Sequence, residues 1–239
     1  MSWENLVYTL IGGLIAIFSV LISEWFKERI NRRKIHFEDL KHKCLEPILD
    51  RLLELKQYFI FKEGGVDWSR DAIYKELRSD IRWWEYFTFK NYSGVDPLLY
   101  EDLKNHYPDL YKCLEDVEKL FKNKYVEFLQ EVYNLLEAIE NDKELFEIRK
   151  EFSNIKDPTA LYKVIMFLAL GVDKGYWPNI YSSIKSELDK LLYLGEKYRA
   201  RAENIKSFSN NIVAEIDKCI NMTKKVILES KLRGKCGYI

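Results

Sequence analysis

Glycine and proline are scarce, ten and five in 239 residues. Both punctuate turns, so their scarcity argues against a fold of many short strands and for long helices. No series of segments alternates apolar and polar residues as strands do. No fixed repeat period appears, which excludes a solenoid. Histidine occurs only at His36, His42 and His106. There is no P-loop, no G-x-G-x-x-G after a strand, no H-E-x-x-H, no EF-hand loop and no G-x-S-x-G. The E-x-x-H pairs of a ferritin-like metal bundle are missing too. No cofactor or metal is therefore expected, and the balance is against an enzyme. A formal net charge of zero removes the basic footprint of a nucleic-acid binder.

The four cysteines, Cys44, Cys113, Cys219 and Cys236, form no C-x-x-C pair. In a cytoplasmic domain they are expected as reduced thiols. Cys236 stands fourth from the end, but Gly237 and Tyr238 are not aliphatic, so the tail is no prenylation box.

What the chain does have is one long uncharged run, Asn5–Ser23, reading NLVYTLIGGLIAIFSVLIS. About 20 apolar residues rising 1.5 Å each cross a hydrocarbon core roughly 30 Å thick. This predicts a single transmembrane helix. Trp3 and Tyr8 stand near one end, and Trp25 and Phe26 at the other, where amphipathic aromatics favour the headgroup level. After it come Lys27, Arg29, Arg32, Arg33 and Lys34 against Glu28. Such short basic flanks stay on the cytoplasmic side. The expected topology has the N-terminus outside and the rest of the chain in the cytoplasm. A cleaved signal peptide would want a basic start and a small-x-small cleavage site, and Glu4 and Ser23-Glu24-Trp25 supply neither. A buried core helix is the other plain reading, since Asn5, Thr9 and the serines dilute the apolar run. Gly12, Ala16, Ser19 and Ser23 recur at spacings of four, three and four, a stripe along which a second membrane helix packs closely.

Beyond the basic flank the period is helical, except over Trp83–Tyr92, whose aromatic and β-branched residues suit an extended segment. Leu40, Cys44, Ile48, Leu52, Leu55 and Phe59 define a helix over 35–62, bent near Pro47. Asp67 or Ser69 caps the next helix, and Asp96-Pro97 opens another. Leu110, Leu114, Val117, Phe121, Tyr125, Phe128, Val132, Leu135 and Ile139 predict one long helix from Pro108 to Asn141. A second long rhythm runs from Ile184 to Ile227, with Gly195 and 207–211 as its weak points. Two such stripes cover each other as antiparallel partners. Val164–Val172, apolar all round and too short to span a bilayer, is expected at the centre of the core.

The expected fold is all-α: a membrane anchor over 1–34, a helical stalk over 35–62, and an elongated cytoplasmic bundle over 63–239. One soluble stretch stands out. Residues 78–92 mix Arg78 and Arg82 with Trp83, Trp84, Tyr86, Phe87 and Phe89. Most of these aromatics are expected in the core, with Arg82, Trp83 and Tyr86 as the candidate partner surface. His42, flanked one turn away by Glu38 and Glu46, forms a candidate metal face whose plainer reading is a charge-paired helix surface. The function these features suggest is a membrane-anchored interaction or scaffolding protein. Its expected partners are the lipid bilayer and either another protein or a second copy of itself. The alternative is a membrane-tethered enzyme, perhaps hydrolytic, without a recognisable motif.

Overall fold

The computed structural model describes residues 3–61, 66–80, 82–151, 158–172 and 188–235, and the side chains of 18–61, 66–80, 82–150, 159–172 and 191–229. Among these residues the chain is all-α, with no strand. Helix α1 spans Trp3–Leu40, and a π-helical turn at Lys41–Leu45 leads into α2, Glu46–Gln57. Then follow α3 (Arg70–Leu77), α4 (Trp83–Tyr86), α5 (Pro97–His106), α6 (Pro108–Glu140), α7 (Lys143–Glu151), α8 (Pro158–Leu170) and α9 (Leu188–Lys235).

The bend near Pro47 has a local cause and a distant support. Proline has no N–H, so the Lys43 carbonyl loses its helical donor. The chain widens there into the π turn, with the Glu46 N–H reaching back five residues to the Lys41 carbonyl. The freed Lys43 carbonyl accepts the Asp96 N–H at 2.7 Å. Asp96 also caps α5, its Oδ1 accepting the N–H groups of Leu98 (2.8 Å) and Leu99 (3.3 Å). One loop residue therefore repairs the kink and starts the next helix. Gly94, at φ +88°, makes the turn that brings Asp96 there, and its α-carbon faces the Pro47 ring.

Helices α6 and α9 lie antiparallel. Ala138 meets Tyr198, Phe128 stacks on Phe208, and Cys113 meets Cys219, so one number falls as the other rises. Helix α2 joins the same layer. Lys56 grips Asp217 through two contacts of 2.7 and 2.8 Å, and the Ser209 hydroxyl donates to the Phe59 carbonyl at 2.5 Å. Leu40, Cys44, Ile48, Leu52, Leu55 and Phe59 are all buried in the core shared with α6 and α9. The 35–62 segment, expected as a stalk, thus packs its apolar side within the bundle.

Helix α8 fills the centre, with Val164, Ile165 and Met166 fully buried. It lies against α9 at Gly195, where an added Cβ would stand 2.7 Å from the Leu168 Cβ. The glycine that looked like a weak point in the periodicity is a site of close helix approach, and α9 passes through it unbroken. Neither does the 207–211 stretch interrupt it. Residues 83–92 are not extended throughout. Helical turns at Trp83–Tyr86 and Phe89–Asn91 flank extended Phe87 and Thr88, because packing of the rings overrides their strand preference.

Two expectations need correction. Among the described residues no helix is long and apolar enough to cross a membrane, so the structure does not support the transmembrane span. The apolar run straddles the edge of the description: α1 includes it, but its side chains before Phe18 lie outside the described residues. Secondly, Cys113 and Cys219 are not free thiols. They are joined as a disulfide between α6 and α9, with Cα atoms 5.8 Å apart, a separation suited to such a bridge. Cys44 is free and buried, and desolvation pushes its thiol up to about 12.

Candidate functional site: an exposed apolar helix end and its basic collar

Helix α1 changes character along its length. Its last residue, Leu40, is buried in the core, where the π turn and α2 continue the apolar side. From Phe18 to Ile35 every residue is exposed. Phe18, Leu21, Ile22, Trp25 and Phe26 each show more than half of their surface. Isolated exposed apolar residues are ordinary, but a contiguous set this size marks an interaction site or a lipid contact.

The predicted collar follows directly. Arg32 pairs with Glu28 at 2.5 Å, one helical turn away. The Arg29 guanidinium lies over the Trp25 ring, 5.2 Å from its centroid. Lys27, Arg33 and Lys34 are exposed and form no ion pair among the described residues. Of the small-residue stripe, Ser19 and Ser23 are exposed. The surroundings of Gly12 and Ala16 lie outside what is described.

The candidate surface on the bundle separates into parts. Trp84, Phe87 and Phe89 are buried. Trp83 is half-buried among Tyr58, Phe121 and Tyr125, and its indole N–H donates to Glu76 at 2.9 Å. Arg82, paired with Glu85 at 3.1 Å, and Tyr86, 78% exposed, stand at the surface. Close by is a feature that no local pattern revealed. The Arg51 guanidinium sits over three rings, Trp83 (5.5 Å), Phe87 (5.2 Å) and Tyr92 (5.1 Å), and binds Glu54 at 2.8 Å. The three rings lie more than thirty positions further along the chain, so only tertiary structure assembles this arrangement. The cage is filled by the protein's own arginine, which makes it a fastening of α2 rather than an open receptor.

Glu118 fastens the same loop from the other side. It accepts the Phe89 N–H at 2.7 Å and the Tyr100 hydroxyl at 3.3 Å. Burial pushes its carboxyl up, against the lowering effect of those hydrogen bonds. A polar cleft opens where α3, α6 and α8 meet, lined by Trp68, Arg70, Asp71, Glu140, Tyr162 and Lys163 among others. Its main charges are already paired. Lys163 donates to Asp67 at 2.7 Å, and Arg70 binds Glu140 directly and Tyr133 at 3.3 Å. Burial pushes the Asp67 carboxyl up, but Lys163 and Ser69 outweigh it and hold the group below the usual range. A hydrolytic reading would have to begin in this cleft by breaking one of these pairs.

The histidines divide likewise. His42 lies between Glu46 (2.7 Å) and Glu38 (3.4 Å). His106 faces His36, with ring centroids 6.1 Å apart. Among the described residues no group of three or more His, Cys, Asp or Glu side chains is arranged to hold a metal ion.

No family model matches the chain, and neither a curated protein nor a solved structure matches it.

Proposed function

We propose that this chain is a membrane-anchored helical interaction protein. In this reading the apolar half of α1 enters the bilayer, and the bundle is a platform held beside it. The observation that carries it is the exposure of Phe18, Leu21, Ile22, Trp25 and Phe26 on the helix whose last residue, Leu40, enters the core. Exposed side chains of this size in water cost about 25 cal/mol per Å² of apolar surface, and a lipid environment removes that cost. The partners are the lipid bilayer and either a protein docked on the bundle or a second copy packed along Gly12, Ala16, Ser19 and Ser23. The candidate protein contacts on the bundle are Arg82, Trp83 and Tyr86.

The test is flotation of the full chain with liposomes after an alkaline wash. Wild type is expected to float. Ile15→Lys with Ile17→Lys should stay at the bottom, because each central lysine costs about 3 kcal/mol of insertion free energy. Wild type recovered entirely in the soluble layer would overturn the anchoring. Gly12→Ile or Ala16→Ile migrating as wild type does in mild detergent would remove self-association through the small-residue stripe.

For orientation, the basic collar favours a cytoplasmic bundle with the N-terminus outside. A second reading has one observation behind it. The Cys113–Cys219 disulfide belongs more naturally to an oxidising compartment, which would place the bundle outside in a receptor-like role. Labelling Cys236 with an impermeant thiol reagent in intact cells separates them. Label only after lysis supports the cytoplasmic bundle, and label before lysis reverses it.

A further inference from the structure

The cations after the apolar run do more than orient a helix. We infer that the collar from Lys27 to Lys34 is a recognition site for anionic lipid headgroups; this rests on the anchoring reading above.

The first support is arrangement. At 100° per residue, Lys27 and Lys34 fall within about 20° of each other on the helix, and Arg29 and Arg33 within about 40°. The two pairs are separated by about 130°. A helix lying flat on a membrane gathers its cations on one side. One that passes through the headgroup layer meets phosphates all round, which is the pattern seen here.

Availability is the second support. Glu28, inside the collar, is taken by Arg32, and Glu38, one turn after Lys34, pairs with His42. Lys27, Arg33 and Lys34 are exposed and form no ion pair among the described residues, although Glu24 stands one turn before Lys27. Stacking on Trp25 holds the Arg29 guanidinium at the level of the aromatic residue and leaves its N–H edge free for phosphate oxygens.

Distance decides between this collar and the basic end of α9, where Lys224, Lys225, Lys231, Arg233 and Lys235 stand against Glu229. Lys34 is eight residues beyond Phe26, a rise of about 12 Å, and the other cations are closer. Helix α9 runs antiparallel to α2, because Lys56 meets Asp217 and Phe59 meets Ser209. Its last turns therefore lie level with the end of α1 near Leu40, roughly 20 Å from Phe26. That exceeds two Debye lengths of about 8 Å at physiological ionic strength, so the collar and not the tail feels the headgroups. The chain's net charge of zero supplies no general attraction that would mimic a local preference.

The experiment reconstitutes the full chain in bilayers of equal phosphatidylglycerol and phosphatidylcholine, then measures the lipid that stays bound when the protein is gently extracted. Wild type is expected to retain phosphatidylglycerol several-fold over phosphatidylcholine, with the ratio falling toward one at high salt. The quadruple change Lys27→Gln, Arg29→Gln, Arg33→Gln and Lys34→Gln should abolish the enrichment. Lys27→Arg with Lys34→Arg should keep it, which guards against a collar variant that merely misfolds. No enrichment in wild type, or enrichment unchanged in the quadruple variant, would overturn the inference while leaving the anchor standing. A wild-type chain that does not enter the bilayer at all removes both.

Discussion

Asp142 shows how much a single side chain settles. It caps α7 by accepting the Glu144 N–H at 2.9 Å, and it takes Lys197 at 2.8 Å and the Tyr198 hydroxyl at 2.6 Å from α9. Burial alone pushes its carboxyl up, but the hydrogen bonds from Lys197 and Tyr198 outweigh that and hold it below the usual range. A carboxyl depressed in the folded state stabilises it above the unfolded value, about pH 3.9, and that contribution is lost as pH falls through the folded value. Asp142→Asn is therefore expected to cost about 1–2 kcal/mol at pH 7. The gap between variant and wild type should close below about pH 4. Urea unfolding at pH 7 and pH 3 checks this, and an equal gap at both would contradict it. Other residues were legible from spacing alone. Asp67 or Ser69 was expected to cap α3; the Ser69 hydroxyl accepts the Ala72 N–H, while Asp67 holds Ser69 in place. Arg51 was not legible, because nothing near it in the chain names three rings as its neighbours.

At the scale of elements, periodicity located α6 and α9 well, because a repeat of three and four is a direct projection of helical geometry. It misjudged Gly195. A glycine in a long helix costs about 1 kcal/mol in propensity and looks like a flaw. Its reason lies in another helix, where Leu168 of α8 leaves no room for a Cβ. Gly195→Ala should raise helix propensity yet lower stability by about 1–3 kcal/mol through overpacking. Adding Leu168→Gly, which removes the Cβ that the new methyl meets, should make the double variant less destabilised than the sum of the two single changes, measured as a double-mutant cycle. Additive effects would mean the two helices are not in contact there. The π turn before Pro47 follows the same logic. Proline predicts a bend, but not that the freed Lys43 carbonyl finds the Asp96 N–H from a loop some fifty residues away.

For the whole molecule, the joining of Cys113 to Cys219 closes a loop of 106 residues. In the chain-entropy account a bridge of that span stabilises by about 4–5 kcal/mol. Cys113→Ser is thus expected to lower the melting temperature by many degrees. Thiol titration in denaturant offers a sharper check. Two thiols, Cys44 and Cys236, should react without reductant, and all four after reduction. Four reactive thiols without reductant would show that the bridge does not form in the isolated protein.

Chain periodicity and composition determined an all-α fold, the long helices and the segregation of an apolar run from a basic collar. These are legible because each rests on residues within a turn or two of one another. Only the tertiary structure decided that the apolar side of residues 40–59 lies in the bundle core, that Trp84 is buried while Trp83 stays half-buried, that Cys113 reaches Cys219, and that Gly195 is a contact. Each of these depends on what a distant helix presents, and linear spacing carries no information about which faces meet.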